Sequence, residues 1–285
     1  METFNARSEH CRPLEHPGIF TTTLAALLVV GILVSYLPQH AKIIQRRTSE
    51  GLSPYWVLLG GLSSIAAIGN ILTLPTSRSD MACCKELSPG ACTAALLGVA
   101  QIGIQWTSFM LLVMLYLAFS DPAKHREPLV VGFCIFVSVF FVAIISIALV
   151  FRFPKHTQIW ADILGTIAGV LAAIQYLPQI YYTWKLKDLK SLSVTTLVIQ
   201  APGAFVFALS LGLRVGVAGW STWLVYLVTG ALQFVLLGMA INWWLMERNP
   251  AKITVEDSNA NGDQQPEAVA DERTALIGSR PRSAS

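Results

Sequence analysis

The tetrapeptide YLPQ occurs twice, at Tyr36–Gln39 and at Tyr176–Gln179, each time at the end of a long apolar run. Each copy is followed after twelve residues by Leu-Ser, as Leu52-Ser53 and Leu192-Ser193. Proline removes a backbone N–H and clashes with the turn before it, so a carbonyl loses its helical partner. In lipid that carbonyl is costly unless side chains, neighbouring helices or water satisfy it. One copy alone reads as a helix stopping at a membrane edge. Two copies in register read as a duplicated element, with Pro38 and Pro178 bending their helices. Gln39 and Gln179 are placed to bond the freed carbonyls or to reach across a bundle.

Composition sets the solvent. Of 285 residues 54% are hydrophobic and 13% charged, against about 25% charged in a soluble domain. Runs without Asp, Glu, Lys or Arg cover 16–41, 51–77, 87–120, 128–151, 191–213 and 215–246, and a run over 158–184 holds only Asp162. Roughly 20 apolar residues cross a bilayer. The sequence therefore predicts seven transmembrane helices, near 19–39, 54–74, 94–119, 129–151, 158–184, 194–213 and 220–246. Trp56, Trp160, Trp184, Trp220, Trp223, Trp243 and Trp244 fall near the ends of these spans, where an indole is half in lipid and half in water. Trp106 lies inside one.

Lys42, Arg46, Arg47, Lys124, Arg126, Lys185, Lys187 and Lys190 share one set of loops, with Arg248 and Lys252 past the last span. This excess over the opposite side places the N-terminus in the lumen and the C-terminus in the cytosol. The first nineteen residues are polar, and the apolar run after them is long enough to span, which does not fit a cleavable signal peptide. Cys83, Cys84 and Cys92 share the second loop on the luminal side. A disulfide between Cys92 and one of that pair suits an oxidising compartment. No His accompanies them, which argues against a metal site. Cys134 lies within a span. The net charge of +3 is spread over loops and gives no nucleic-acid signal.

The 140-residue offset lays helix 1 over helix 5 and helix 2 over helix 6 without a gap, while Gln105-Trp106 of helix 3 can be laid over Gln233-Phe234 of helix 7. Helix 4 is left as a connector. The expected architecture is an all-α membrane protein of two parallel three-helix repeats and one connecting helix: a luminal segment 1–18, a first repeat 19–119, a connector with its loops 120–157, a second repeat 158–246 and a tail 247–285. Parallel repeats about an axis along the membrane normal are an established transporter plan, with the substrate at the repeat interface. The tail is rich in Asn, Asp, Glu, Pro, Ser and Ala and too polar to fold alone. Within it, Glu272, Leu276 and Ile277 fit an acidic dileucine signal read by clathrin-adaptor complexes. Its other reading is a locally apolar patch in a linker.

The doubled Pro-Gln motif, Pro38-Gln39 with Gly51-Leu52-Ser53 and Pro178-Gln179 with Ser191-Leu192-Ser193, resembles the PQ-loop repeat family over about residues 19–246. That family includes cystinosin and the lysosomal and vacuolar cationic amino-acid exporters, with SWEET carriers and KDEL receptors as distant relatives. The texture resembles that of uncharacterised fungal members. The resemblance implies a small-molecule substrate, no cofactor, and prolines that act as hinges for alternating access. It also marks a departure: proton-coupled members are expected to carry an acid in the second helix of the second repeat, where this chain has Gln200.

The candidate substrate or proton-coupling residues are Asp162, Asn70, Gln105, Trp106 and Gln200. An acid inside the membrane is a functional candidate by default, and Asp162 can take up a proton or pair with a cation. Two residues past Trp160, it also suits a helix N-terminus. Asn70, Gln105 and Gln200 can bond a solute or one another, and Trp106 can line a path or pack. Arg214 is expected to snorkel at the luminal boundary. The expected function is a vacuolar or lysosomal solute carrier, most naturally for amino acids. The competing expectation is a non-transporting regulator of trafficking or of lipid flippases. No metal cluster, nucleophile motif or phosphate loop points to an enzyme.

Overall fold

The computed structural model describes residues 11–49, 52–120, 126–186 and 194–248. Among them the secondary structure is helical, without strands: α1 (Ile19–Arg46), α2 (Pro54–Thr73), α3 (Pro75–Cys83), α4 (Pro89–Ala118), α5 (Arg126–Arg152), α6 (Thr157–Leu186), α7 (Val194–Val215) and α8 (Trp220–Arg248). Six are long and apolar enough to cross a membrane, and α7 holds a shorter apolar stretch, Gln200–Val215. The chain is a multi-pass membrane protein. Residues 1–240 form one compact unit, and the second, 241–285, is described only as the last turns of α8. Glu272, Leu276 and Ile277 lie outside the described residues.

Local chemistry places the ends. Pro54, Pro75 and Pro89 each open a helix, where the missing N–H would have had no partner and φ is already helical. Ser88 caps α4 by accepting the Ala91 amide at 3.4 Å. Leu74 closes α2 and opens α3 in one extended residue, so the second loop of the sequence reading contains a helix. The motif proline does not stop α1. The helix runs on to Arg46 through Pro38, because the residues after it are sound helix formers, and ends at Arg47 with φ of 50°.

Two disulfides, Cys11–Cys83 and Cys84–Cys92, mark one face of the bundle, which carries the start of α1, the end of α2, α3 and the start of α4. Cys83 thus pairs with Cys11, a residue the sequence reading left out because 72 positions separate the two.

Close helix approach depends on glycine. A Cβ on Gly60 would lie 2.3 Å from the Phe109 ring, one on Gly69 2.7 Å from Val142, and one on Gly165 2.7 Å from the Ser221 carbonyl oxygen. Helix α5 buries Val131 and Ile135 and exposes Phe133, Phe136, Phe140, Phe141 and Ile144. Such a face suits lipid, which is as apolar as the side chains it covers.

The buried apolar residues divide unevenly. On the disulfide face one cluster joins α2, α4, α6, α7 and α8 through Ile71, Leu74, Ile102, Leu164, Ala168, Phe207, Leu211 and Val225. Toward the opposite face the described residues form two separate clusters. One is Val57, Ile65, Phe109, Leu112, Val113 and Ile135, from α2, α4 and α5. The other is Ala201, Leu236 and Leu237, from α7 and α8.

Candidate functional site

Helix periodicity puts Tyr36 and His40 on one face of α1, one turn apart. Their rings stack at 5.9 Å with an interplanar angle of 26°. His40 is buried, and its Nε2 lies 3.0 Å from the Ser108 carbonyl of α4. A carbonyl only accepts, so this nitrogen carries the proton. Tyr36 packs on the first of the two separate clusters and Tyr176 on the second. The two phenols come from the two copies of YLPQ, and Tyr226 of α8 adds a third to this tyrosine layer.

Two amides serve this layer. Gln233 donates its Nε2 hydrogen to the Tyr176 hydroxyl at 2.7 Å, and Tyr226 donates its hydroxyl hydrogen to Gln105 Oε1 at 2.9 Å. The Phe207 ring meets Tyr226 edge-on at 4.3 Å. Gln233 Oε1 is buried without a partner. Tyrosine hydroxyls and amides both donate and accept, and no carboxylate or ammonium group takes part in these bonds. The arrangement can bind a polar solute without net charge through hydrogen bonds and aromatic faces.

A second network stands nearer the disulfide face. Asp162 is half-buried; Oδ1 accepts from the Ser221 hydroxyl at 3.0 Å, and both oxygens accept from Gln158 Nε2 at 3.2 and 3.3 Å. Asn70, 1% exposed, donates to the Ala161 carbonyl at 2.6 Å and to Ser221 Oγ at 3.0 Å, and accepts from Thr222 Oγ1. Thus α2, α6 and α8 are tied together by side chains that include two of the sequence candidates, Asp162 and Asn70. Gly165 makes room for both Ser221 and Asn70.

The other candidates scatter. Gln105 belongs to the tyrosine layer. Trp106 is half-buried, and its indole N–H has no partner. Gln200 and Pro202 are exposed on α7. Pro38 is exposed and Gln39 half-buried, while the side chains of Pro178 and Gln179 lie outside the described residues. Arg214 does more than reach for the boundary. Its Nη1 donates to the Ala94 carbonyl and its Nη2 to the Thr21 carbonyl at 3.2 Å, and its stem passes beside Gly98 of α4.

The sequence reading missed Tyr36, Tyr176, Tyr226 and His40 as site residues. Tyrosine opens both copies of the repeated tetrapeptide, so the signal was present; it was outweighed by the proline and the amide.

Residues 20–79 and 160–215 match the PQ loop repeat family, and each stretch contains one YLPQ. An uncharacterised protein of Schizosaccharomyces pombe is 26% identical over 245 residues, covering 79% of this chain and 81% of its own. The 3.7 Å structure of a eukaryotic SWEET transporter covers 84% of this chain and 98% of its own, with a TM-score of 0.54 at 14% identity. At that identity the likeness is one of fold.

Proposed function

We propose that this PQ-loop repeat protein is a membrane carrier that moves amino acids or related small solutes out of a vacuole or lysosome by alternating access. One observation carries the reading: each motif copy sets its tyrosine on an apolar cluster of its own, and Gln233 bonds the second of them. A solute held there touches both halves, so a rocking of one against the other changes the side from which it is reached. Substrate sites at the interface of parallel repeats are an established transporter plan, and the SWEET neighbour is described as a transporter. The proposed plan is three helices, a connecting α5, and three more, with Pro38 and Pro178 as hinges.

The uncharged layer favours a zwitterionic or neutral solute, since a net charge would be left unpaired in a poorly solvating interior. Asp162 is the proposed proton-coupling group, supported by its place among Ser221, Gln158 and, through Ser221, Asn70. Disulfides form in oxidising compartments, which supports a luminal N-terminus and a cytosolic tail carrying Glu272, Leu276 and Ile277.

The test is direct. Purified protein in liposomes with an imposed pH gradient is expected to exchange labelled amino acids. Absence of flux across a broad amino-acid and sugar panel would leave the regulator reading standing. Replacing Leu276 and Ile277 with Ala is expected to send the protein to the cell surface; unchanged vacuolar targeting would overturn the sorting signal.

A further inference from the structure

Arg214 and Gln101 lie where α1, α4 and α7 meet on the disulfide face, beside Thr21 and Ala25 of α1. Beyond the two carbonyls held by Arg214, Gln101 of α4 donates its Nε2 hydrogens to the Ala25 carbonyl of α1 at 3.2 Å and to Ser210 Oγ of α7 at 3.3 Å. Ser210 and Arg214 are one turn apart on α7, as are Ala94, Gly98 and Gln101 in succession along α4. Two side chains therefore join a helix of the second repeat to two helices of the first.

The junction is only half satisfied. Gln101 is 0% exposed, yet its Oε1 has no partner, and the same is true of Thr22 Oγ1 and Arg214 Nε. A buried polar group without a partner gives up its hydration with no hydrogen bond in return. With two such atoms on the side chains that make the contact, closing it loses hydration that opening would restore. An interface built only for strength would pair those atoms or replace them with apolar groups.

The core agrees in its distribution. One apolar cluster spans both repeats on this face, whereas toward the other face the clusters formed by the described residues are separate. There, Gln175 Nε2 donating to the Trp56 carbonyl at 3.1 Å crosses between the repeats.

We propose that the α1–α4–α7 junction is the gate on the disulfide face, shown here closed, and that Arg214 is the positioning residue that pins it. The proposal rests on the carrier reading for its purpose, since a gate serves a translocation path. Opening withdraws the guanidinium from the Thr21 and Ala94 carbonyls, frees Gln101 from Ser210 and lets water reach Gln101 Oε1 and Arg214 Nε. The two states differ by a few hydrogen bonds exchanged for hydration, which keeps them close in free energy.

The test uses the full chain in lipid nanodiscs, with Cys134→Ser and spin labels on Ile19→Cys and Val217→Cys, positions 85% and 84% exposed at the disulfide-face end of α1 and just past α7. The unpinned protein, Arg214→Met, is expected to hold at least about tenfold more of a longer-distance population, since it loses both charge-assisted hydrogen bonds; Arg214→Lys is expected to fall between it and the parent. If Arg214→Met is not recovered folded, Gln101→Leu with Ser210→Ala carries the same expectation. An unchanged distance distribution in a folded variant overturns the gate. The readout needs no solute to cross: longer distances without flux would fail the carrier reading and keep the gate, while unchanged distances with normal flux would fail the gate alone.

Discussion

Gln233 on α8 gives a hydrogen to the Tyr176 hydroxyl at 2.7 Å, so the first residue of the second YLPQ is held by the last membrane helix. The same amide keeps a buried carbonyl oxygen without a partner.

Tyr176→Phe removes the hydroxyl and leaves both ends of the Gln233 amide unpaired. We predict a KM for solute raised by about tenfold or more, with expression intact, because a polar contact of this kind is worth about 1–3 kcal/mol. Tyr36→Phe is expected to behave in parallel. Concentration-dependent flux in proteoliposomes measures this, and a parental KM in both variants would remove the tyrosines from the solute site.

Asp162→Asn keeps the shape of the side chain and an acceptor for Ser221 while removing the charge. Flux is expected to persist and to lose its dependence on the imposed pH gradient. Retained pH dependence would exclude Asp162 as the coupling group. Asp162→Ala also strips Ser221 of its acceptor and leaves Gln158 only the Ala218 carbonyl, and is expected to lower the melting temperature further than Asn does.

Gly165→Ala and Gly103→Ala form a matched pair. A methyl on Gly165 would meet Ser221 Cβ at 2.6 Å and the Ser221 carbonyl oxygen at 2.7 Å, whereas one on Gly103 meets nothing within 4 Å. Overpacking of the first kind costs about 1–3 kcal/mol. The second change improves helix propensity by up to about 1 kcal/mol. Thermal unfolding is expected to fall for Gly165→Ala and to hold or rise for Gly103→Ala; equal shifts would contradict the packing described for α2, α6 and α8.

The disulfides predict a thiol count. Of five cysteines, Cys134 alone is free. Denatured but unreduced protein should take one maleimide–polyethylene glycol adduct, and reduced protein five. Two or more adducts before reduction would break the pairing Cys11–Cys83 and Cys84–Cys92.

Much of the architecture could be read from the chain because lipid imposes a simple rule: charge is excluded over the length of a span. The repeat was equally open to reading, since YLPQ and Leu-Ser recur at one offset. The end of α1 was not, because proline signals a lost hydrogen bond and not how the following residues behave; His40 to Arg46 continue the helix. Arg214 looked like a boundary residue since its partners are backbone carbonyls, which no side-chain pattern announces. Cys11 escaped for a similar reason: its partner is brought near only by folding. Asp162 and Asn70 were found singly as polar residues in apolar runs, but their connection through Ser221 depends on helix packing that Gly165 permits and composition hides.

Both covalent staples fall within the first half of the chain, joining the segment before α1, α3 and the start of α4. They fasten those three pieces to one another and to nothing in α6, α7 or α8. If the halves rock, the labour is therefore divided: the stapled half is the frame, and α7 with its arginine is the part that swings. In the proposed rocking, two copies of one motif divide into a fixed leaf and a moving one.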